Sequence, residues 1–164
     1  MSLYIKWGGL ALMLVAALTV SKGYREYVAR RLSEQESFIF LLRHMEEKIS
    51  RYLTPVADAL RDFSNDVLSR IGFFDGINEG ETLGEAFLRI TPRLSVGEET
   101  RSHLSSTFKS LSLGYREEVV ANLHDAAARL EKIFSEEKEL LSKNERVVSA
   151  VLVASALGIF ILLV

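Results

Sequence analysis

Three histidines, His44, His103 and His124, are the first residues of the chain whose type could do chemistry. A zinc site or a proton-transfer site needs them near each other or near a paired acid. No H-E-x-x-H or closely spaced histidine pair occurs, so each reads as a surface or helix-face histidine. The carboxylate pairs Glu46-Glu47, Glu98-Glu99 and Glu117-Glu118 are adjacent in sequence. On a helix, neighbours point to different azimuths, so these pairs read as solvated faces. Ser105-Ser106 has no base placed by local spacing. Gly72, Gly76, Gly80 and Gly84 fit neither a G-x-x-x-x-G-K-[ST] nor a G-x-G-x-x-G phosphate loop. Cysteine is absent, which excludes disulfides and thiolate chemistry. The reading is a protein with no catalytic, metal-binding or cofactor-binding residues. A membrane enzyme whose site is assembled only by folding is kept as an alternative.

The elements that would carry these residues read as helices throughout, which predicts an all-α fold. SEQE at 33–36 has the pattern of a capping box, with Ser33 as N-cap and Glu36 reaching back. Phe38, Leu41, Leu42, Met45, Ile49 and Leu53 then mark one helical face. Thr54 fits a second N-cap and Pro55 the first helical position after it. Leu60, Phe63, Val67 and Ile71 continue a buried face. The stretch GFFDGINEGETLGEAFLRI is glycine-rich and predicts a break. Phe73, Phe74 and Ile77 are expected to plug the core there. Thr82 and Glu85 form another capping box, Thr91-Pro92 ends that helix, and SVGE at 95–98 offers a third box before Leu104, Phe108 and Leu111. Gly114 is placed as a left-handed helix end. From Tyr115 the three- and four-residue spacing continues without Gly or Pro as far as Gly158. One helix is expected from Tyr115 into the final apolar run, about 75 Å long if straight at 1.5 Å per residue.

Both ends of the chain are apolar, although 26% of its residues are charged. Residues 147–164 contain no charge, and residues 1–20 contain only Lys6. Each run is near the roughly 20 residues that a helix needs to cross a bilayer. The sequence thus divides into an anchor at 1–21, a helical domain at 22–146 and an anchor at 147–164. A cleaved signal peptide is the rival reading of the first run, but no convincing small-residue cleavage site precedes Ser21. Lys22, Arg25, Arg30 and Arg31 follow the first run, and Lys138, Lys143 and Arg146 precede the last. Both biases place the middle of the chain in the cytoplasm and both termini outside. That middle carries 19 of the 20 basic and all 22 acidic residues, a balance of 19 − 22 = −3. Such a balance excludes a polybasic nucleic-acid binder.

Several short motifs resemble those of the stage III sporulation protein AB family of endospore-forming bacteria. They are YREYVARRLSEQ after the first apolar run, MEEKISRYLTPVADAL, GETLGEAF, and LSLGYREEV before the last helix. The resemblance covers nearly the whole chain. Val56, Asp58, Tyr115 and Val119 depart from the family pattern. The resemblance implies a compact cytoplasmic bundle of about five to six helices, similar to the cytoplasmic domains of type II secretion F proteins, between two membrane helices. It implies a non-enzymatic platform in the sporulation channel complex, in the mother-cell membrane around the forespore. There it would couple a cytoplasmic secretion-type ATPase, stage III sporulation protein AA, to the other membrane components. On that reading the ATPase meets the helices between Ser33 and Ile71, with Arg43, Glu47, Arg51, Arg61 and Asp62 as the candidate docking charges. Two alternatives stand beside it: a membrane-bound helical signalling adaptor or sensor, and an inner-membrane platform subunit of a type II secretion or pilus machine.

Overall fold

A computed structural model of the chain describes the backbone of residues 2–111 and 115–163, and the side chains of these residues apart from 2–8, 10, 11, 13, 14, 78, 156 and 159–163. Among the described residues the fold is all-helical, with no strand. Six α-helices occur in order: α1 Ser2–Tyr52, α2 Val56–Arg61, α3 Asp66–Arg70, α4 Leu83–Ile90, α5 Glu98–Ser110 and α6 Arg116–Leu163. Short 3-10 turns lie at Ile77–Glu79 and Thr91–Arg93. The chain divides into two compact units. One comprises Met1–Ala29 with Glu137–Val164, and the other is Arg30–Glu136. The central unit is narrower than the 22–146 domain expected from charge and hydropathy.

In the central unit, the core is built around Phe38 of α1. Its ring meets Phe73 and Phe87 edge-on, with centroids 5.7 Å away in each case, and Phe108 at 6.2 Å. Phe73, Phe87 and Phe108 come from the glycine-rich segment, α4 and α5, so four phenyl rings join four parts of the chain. All four are fully buried. Leu41, Leu42, Met45 and Ile49 extend this face along α1, and Val119, Leu123, Ala127 and Leu130 supply it from α6. The three- and four-residue spacing is therefore core packing, as the periodicity requires. Phe73 plugs the core as expected, with Phe74 and Ile77 partly buried against it.

Local signals succeed where the chain must start or stop a helix. Thr82 and Glu85 form the expected reciprocal box: Glu85 N–H donates to Thr82 Oγ1 at 3.3 Å, and Thr82 N–H donates to Glu85 Oε2 at 2.9 Å. Gly72 and Gly80 take positive φ, +80° and +100°, where glycine has no Cβ penalty. Arg89 closes this segment by donating to Glu81 and to the Gly72 carbonyl.

Other caps are corrected by the fold. Ser33 is not an N-cap, because α1 runs through it without interruption. A helix already formed gains one bond per added residue, whereas a new start carries the nucleation cost. The Ser33 carbonyl instead accepts from Ser37 Oγ at 2.8 Å. Thr54 makes no cap bond to α2, and Pro55 stands one position before its first helical residue. The run from Leu60 to Ile71 is split, and Asn65 caps α3 by accepting from the N–H groups of Val67 and Leu68 at 3.0 Å. Ser95 caps nothing. Its N–H donates to the buried Glu34 carboxylate at 2.6 Å, and Gly97 precedes α5 without a side-chain bond. Gly114 lies outside the described residues.

In the terminal unit the two helices run antiparallel. Ser21 Oγ lies 3.2 Å from Ser149 Oγ, and Arg25 Nε lies 2.9 Å from Glu145 Oε1. Leu12, Val15, Leu18, Val147, Val151 and Leu157 are all exposed. Among the described residues, no helix is long and apolar enough to cross a membrane. The expected spans fall partly on side chains outside those residues, and the two-span arrangement is not shown.

Candidate docking face

Helix α1 stops at Tyr52 because of the next three residues. Leu53 adopts a left-handed conformation, φ +59°, and Thr54 N–H returns to the Lys48 carbonyl at 3.4 Å. Pro55 then disfavours further helix. This is the geometry of a glycine-type helix end, built here with leucine. A side chain in this conformation costs roughly 1 kcal/mol or more, and the strain is not repaid by burial, since Leu53 is 66% exposed. Tyr52 beside it is 65% exposed. The periodicity assigned Leu53 to the buried face of α1; its left-handed backbone carries it off that face.

Charged pairs lie on the end of α1 and on α2. Arg51 donates to Glu47 at 2.9 Å, Lys48 donates to Asp62 at 3.0 Å, and Arg61 lies 3.6 Å from Asp58. The Lys48 ammonium also sits 5.7 Å from the centroid of the Tyr52 ring. The underlying backbone is braced. Arg116 of α6 donates to the Ile49 carbonyl at 3.1 Å and the Ser50 carbonyl at 2.9 Å, satisfying acceptors at the end of α1. The His44 ring nitrogen Nε2 lies 3.2 Å from the Ala59 carbonyl, tying α2 to α1. The result is an exposed aromatic–leucine tip with a polar rim on a fixed support. That is the anatomy of a protein-binding patch.

Of the five sequence-assigned docking charges, Glu47 and Arg51 pair with each other on the last turns of α1, Asp62 pairs with Lys48 next to Tyr52, and Arg61 pairs with Asp58 on α2. Arg43 is set apart from them by its bonds across to α6. It donates to Glu131 of α6 through Nε and Nη2, and to Glu46 through Nη1. These bonds, Glu131 first, hold its guanidinium more firmly protonated than usual. Burial pushes the Glu46 carboxyl upward, but hydrogen bonds from His124 and Arg43 outweigh it and leave Glu46 below the usual range. Arg43 thus braces α1 against α6. Sequence reasoning missed the exposure of Tyr52 and Leu53. The signal that could have found them was the apolar pair in RYLTP, standing where Pro55 forces the periodicity to break.

The histidines face carbonyls and a carboxylate. His103 Nε2 lies 3.2 Å from the Ala126 carbonyl, and His124 Nδ1 lies 2.7 Å from Glu46. No group of three His, Asp or Glu side chains is placed to hold a metal ion among the described residues. The orientation residues Lys22, Arg25, Arg30, Lys138, Lys143 and Arg146 are exposed, and Arg31 is half-buried. Several carry partners: Lys22 with Glu26, Arg30 with Glu34, and Lys143 with Glu139. Pairing with carboxylates leaves the lysine and arginine bias itself unchanged, and that bias is not a net-charge rule.

Comparison with known proteins gives one family. No curated protein and no solved structure matches the chain. The family model of stage III sporulation protein AB matches residues 6–164. With the match spanning almost the entire sequence, the chain belongs to the stage III sporulation protein AB family, and its role is sporulation-related.

Proposed function

We propose that this protein is a non-enzymatic membrane platform, which docks a cytoplasmic secretion-type ATPase onto the channel complex between mother cell and forespore. The observation that carries the reading is the Tyr52–Leu53 tip. A strained backbone that presents a large apolar side chain to solvent points to a function outside the fold, because glycine would serve the fold better. A partner that covers the tip would bury Tyr52 and Leu53 and meet Glu47, Arg51, Arg61 and Asp62 around them.

The membrane part of the proposal rests on the terminal unit. Exposed leucines and valines at 12, 15, 18, 147, 151 and 157 form an apolar surface that water does not favour and lipid does. With the basic residues on the inner flanks, the proposal places 22–146 in the cytoplasm and both termini across the mother-cell membrane. A likeness in fold to secretion F proteins belongs to the same proposal.

The test is co-purification of the full chain with the partner ATPase, stage III sporulation protein AA. Tyr52→Ser with reversals at Glu47, Arg51, Arg61 and Asp62 should reduce recovery of the ATPase at least tenfold, with helical content unchanged. Undiminished recovery would remove this face from the docking reading.

A further inference from the structure

Besides Tyr115, the central unit carries two further exposed apolar side chains that its own core does not use. One is Phe40, on the outer side of α1 and 57% exposed. The other is Leu88 of α4, 52% exposed, in a groove of about 470 Å³ between α4 and α5. The charge left unpaired beside each has opposite sign. Glu36 lies one helical turn before Phe40, is exposed, and makes no ion pair among the described residues. Arg43, the cation one turn after Phe40, is held by Glu131 and Glu46 and is not free to neutralise it. In the groove, Arg101, Ser105 and Lys109 recur at four-residue steps along one face of α5. Arg101 Nη2 donates to the Leu94 carbonyl, its Nη1 pairs with the exposed Glu98 carboxylate at 4.0 Å, and its buried Nε has no hydrogen-bond partner. Lys109 has no carboxylate partner among the described residues.

We propose that Phe40 of one copy of this chain seats in the α4–α5 groove of a second copy, against Leu88, with Glu36 facing Lys109. The occupant is a second copy because the chain itself supplies the complement: an exposed aromatic with an unpaired acid on one face, and an exposed leucine with the unpaired cation Lys109 on another. The two faces differ, so the contact is head-to-tail. Each copy keeps one unfilled knob and one unfilled groove, and association continues into a ring or a filament. The charges align the encounter, while burial of Phe40 and Leu88 holds it.

The chain lacks cysteine, so introduced thiols report without background. Ser33 lies on the Phe40 side of α1, seven residues earlier, and Ser105 lines the groove. Two differently tagged full-length copies are co-expressed in the membrane, Ser33→Cys in one and Ser105→Cys in the other, and joined with a short bismaleimide. Mixed dimers are expected. Phe40→Glu in the Ser33→Cys copy, or Leu88→Glu in the Ser105→Cys copy, should cut the mixed product at least fivefold. The same substitutions exchanged between copies should leave it within twofold, because each then spoils only the unused face. Lys109→Glu in the groove copy should also lower the yield, and Glu36→Lys in the other copy should restore it. Absence of mixed product, a predominance of Ser33→Cys pairs with themselves, or a yield indifferent to Phe40→Glu would each overturn the proposal.

Discussion

Arg43 of α1 holds Glu131 of α6 through two parallel hydrogen bonds, Nε to Oε1 at 2.9 Å and Nη2 to Oε2 at 3.0 Å. The pair joins residues 88 positions apart, and Glu46 and His124 extend it into a four-member network. Arg43→Lys keeps the charge and loses the fork, so it should not substitute fully. The guanidinium is about one-third exposed, and screening limits the gain. Arg43→Ala should destabilise the central unit by about 1 kcal/mol, and Arg43→Lys by roughly half of that. Urea denaturation of a 25–145 fragment measures both, and equal stability of Arg43→Lys and the parent would show that the two-point geometry contributes nothing.

Phe38 is the shared partner of three other rings, and its removal leaves a cavity that none of them can fill alone. Phe38→Ala should cost about 3–5 kcal/mol. Leu60→Ala, which removes a buried leucine, should cost roughly 2–4 kcal/mol. Phe63→Ala should cost less than Phe38→Ala, because Phe63 is only partly buried beside His44. The same fragment should be nearly all-helical by circular dichroism. A cost for Phe38→Ala near that of an exposed site, below about 0.5 kcal/mol, would contradict the four-ring core.

Leu53→Gly separates stability from docking. Glycine relieves the left-handed strain at φ +59°, partly offset by the greater freedom of the unfolded chain, so the central unit should become more stable by up to about 1 kcal/mol. The same substitution deletes an exposed anchor and should weaken ATPase recovery. Thermal melting and co-purification on one variant measure both. Loss of stability would remove the strain argument on which the docking face rests.

The capping box should make α4 sensitive to acid. Backbone and hydroxyl hydrogen bonds from Thr82 hold the Glu85 carboxyl below its usual range. A carboxyl depressed in the folded state stabilises above its unfolded value, near 4.3, and loses that contribution as the pH falls through the folded value. Glu46 adds in the same direction. Stability should therefore decline below about pH 4.3, and Glu85→Gln, which can keep the box without titrating, should reduce the decline. Thr82→Ala should cost about 1 kcal/mol at neutral pH. An identical acid profile for Glu85→Gln would show that the box has no part in it.

Reporter fusions test the orientation. Alkaline phosphatase joined after Val164 should be active, and a cytoplasmic reporter inserted in the central unit should be active there. Replacing Lys138, Lys143 and Arg146 together should weaken the orientation of the last segment. An inactive terminal phosphatase on an inserted chain would reverse the topology.

Periodicity and local chemistry were enough for part of this protein. The all-α class, the buried stripe from Phe38 to Ile49, the α6 stripe from Val119 to Ile133 and the Thr82–Glu85 box all arise from neighbours within one helical turn. Backbone spacing alone sets which of these side chains share a face. Ser33, Thr54 and the SVGE stretch show the limit of that local reading. A capping pattern is used only where the chain has reason to start a helix, and the continuity of α1 and the turn at Leu53 decided otherwise. Phe73 was legible as a core residue, but which segments meet across the chain had no trace in the sequence. The Phe38–Phe73–Phe87–Phe108 cluster, the bracing of Arg43 by Glu131, and the pairing of Asp62 with Lys48 beside Tyr52 depend on chain segments meeting across loops. Those meetings are selected by burial of the whole apolar surface at once, a global condition that no short spacing encodes.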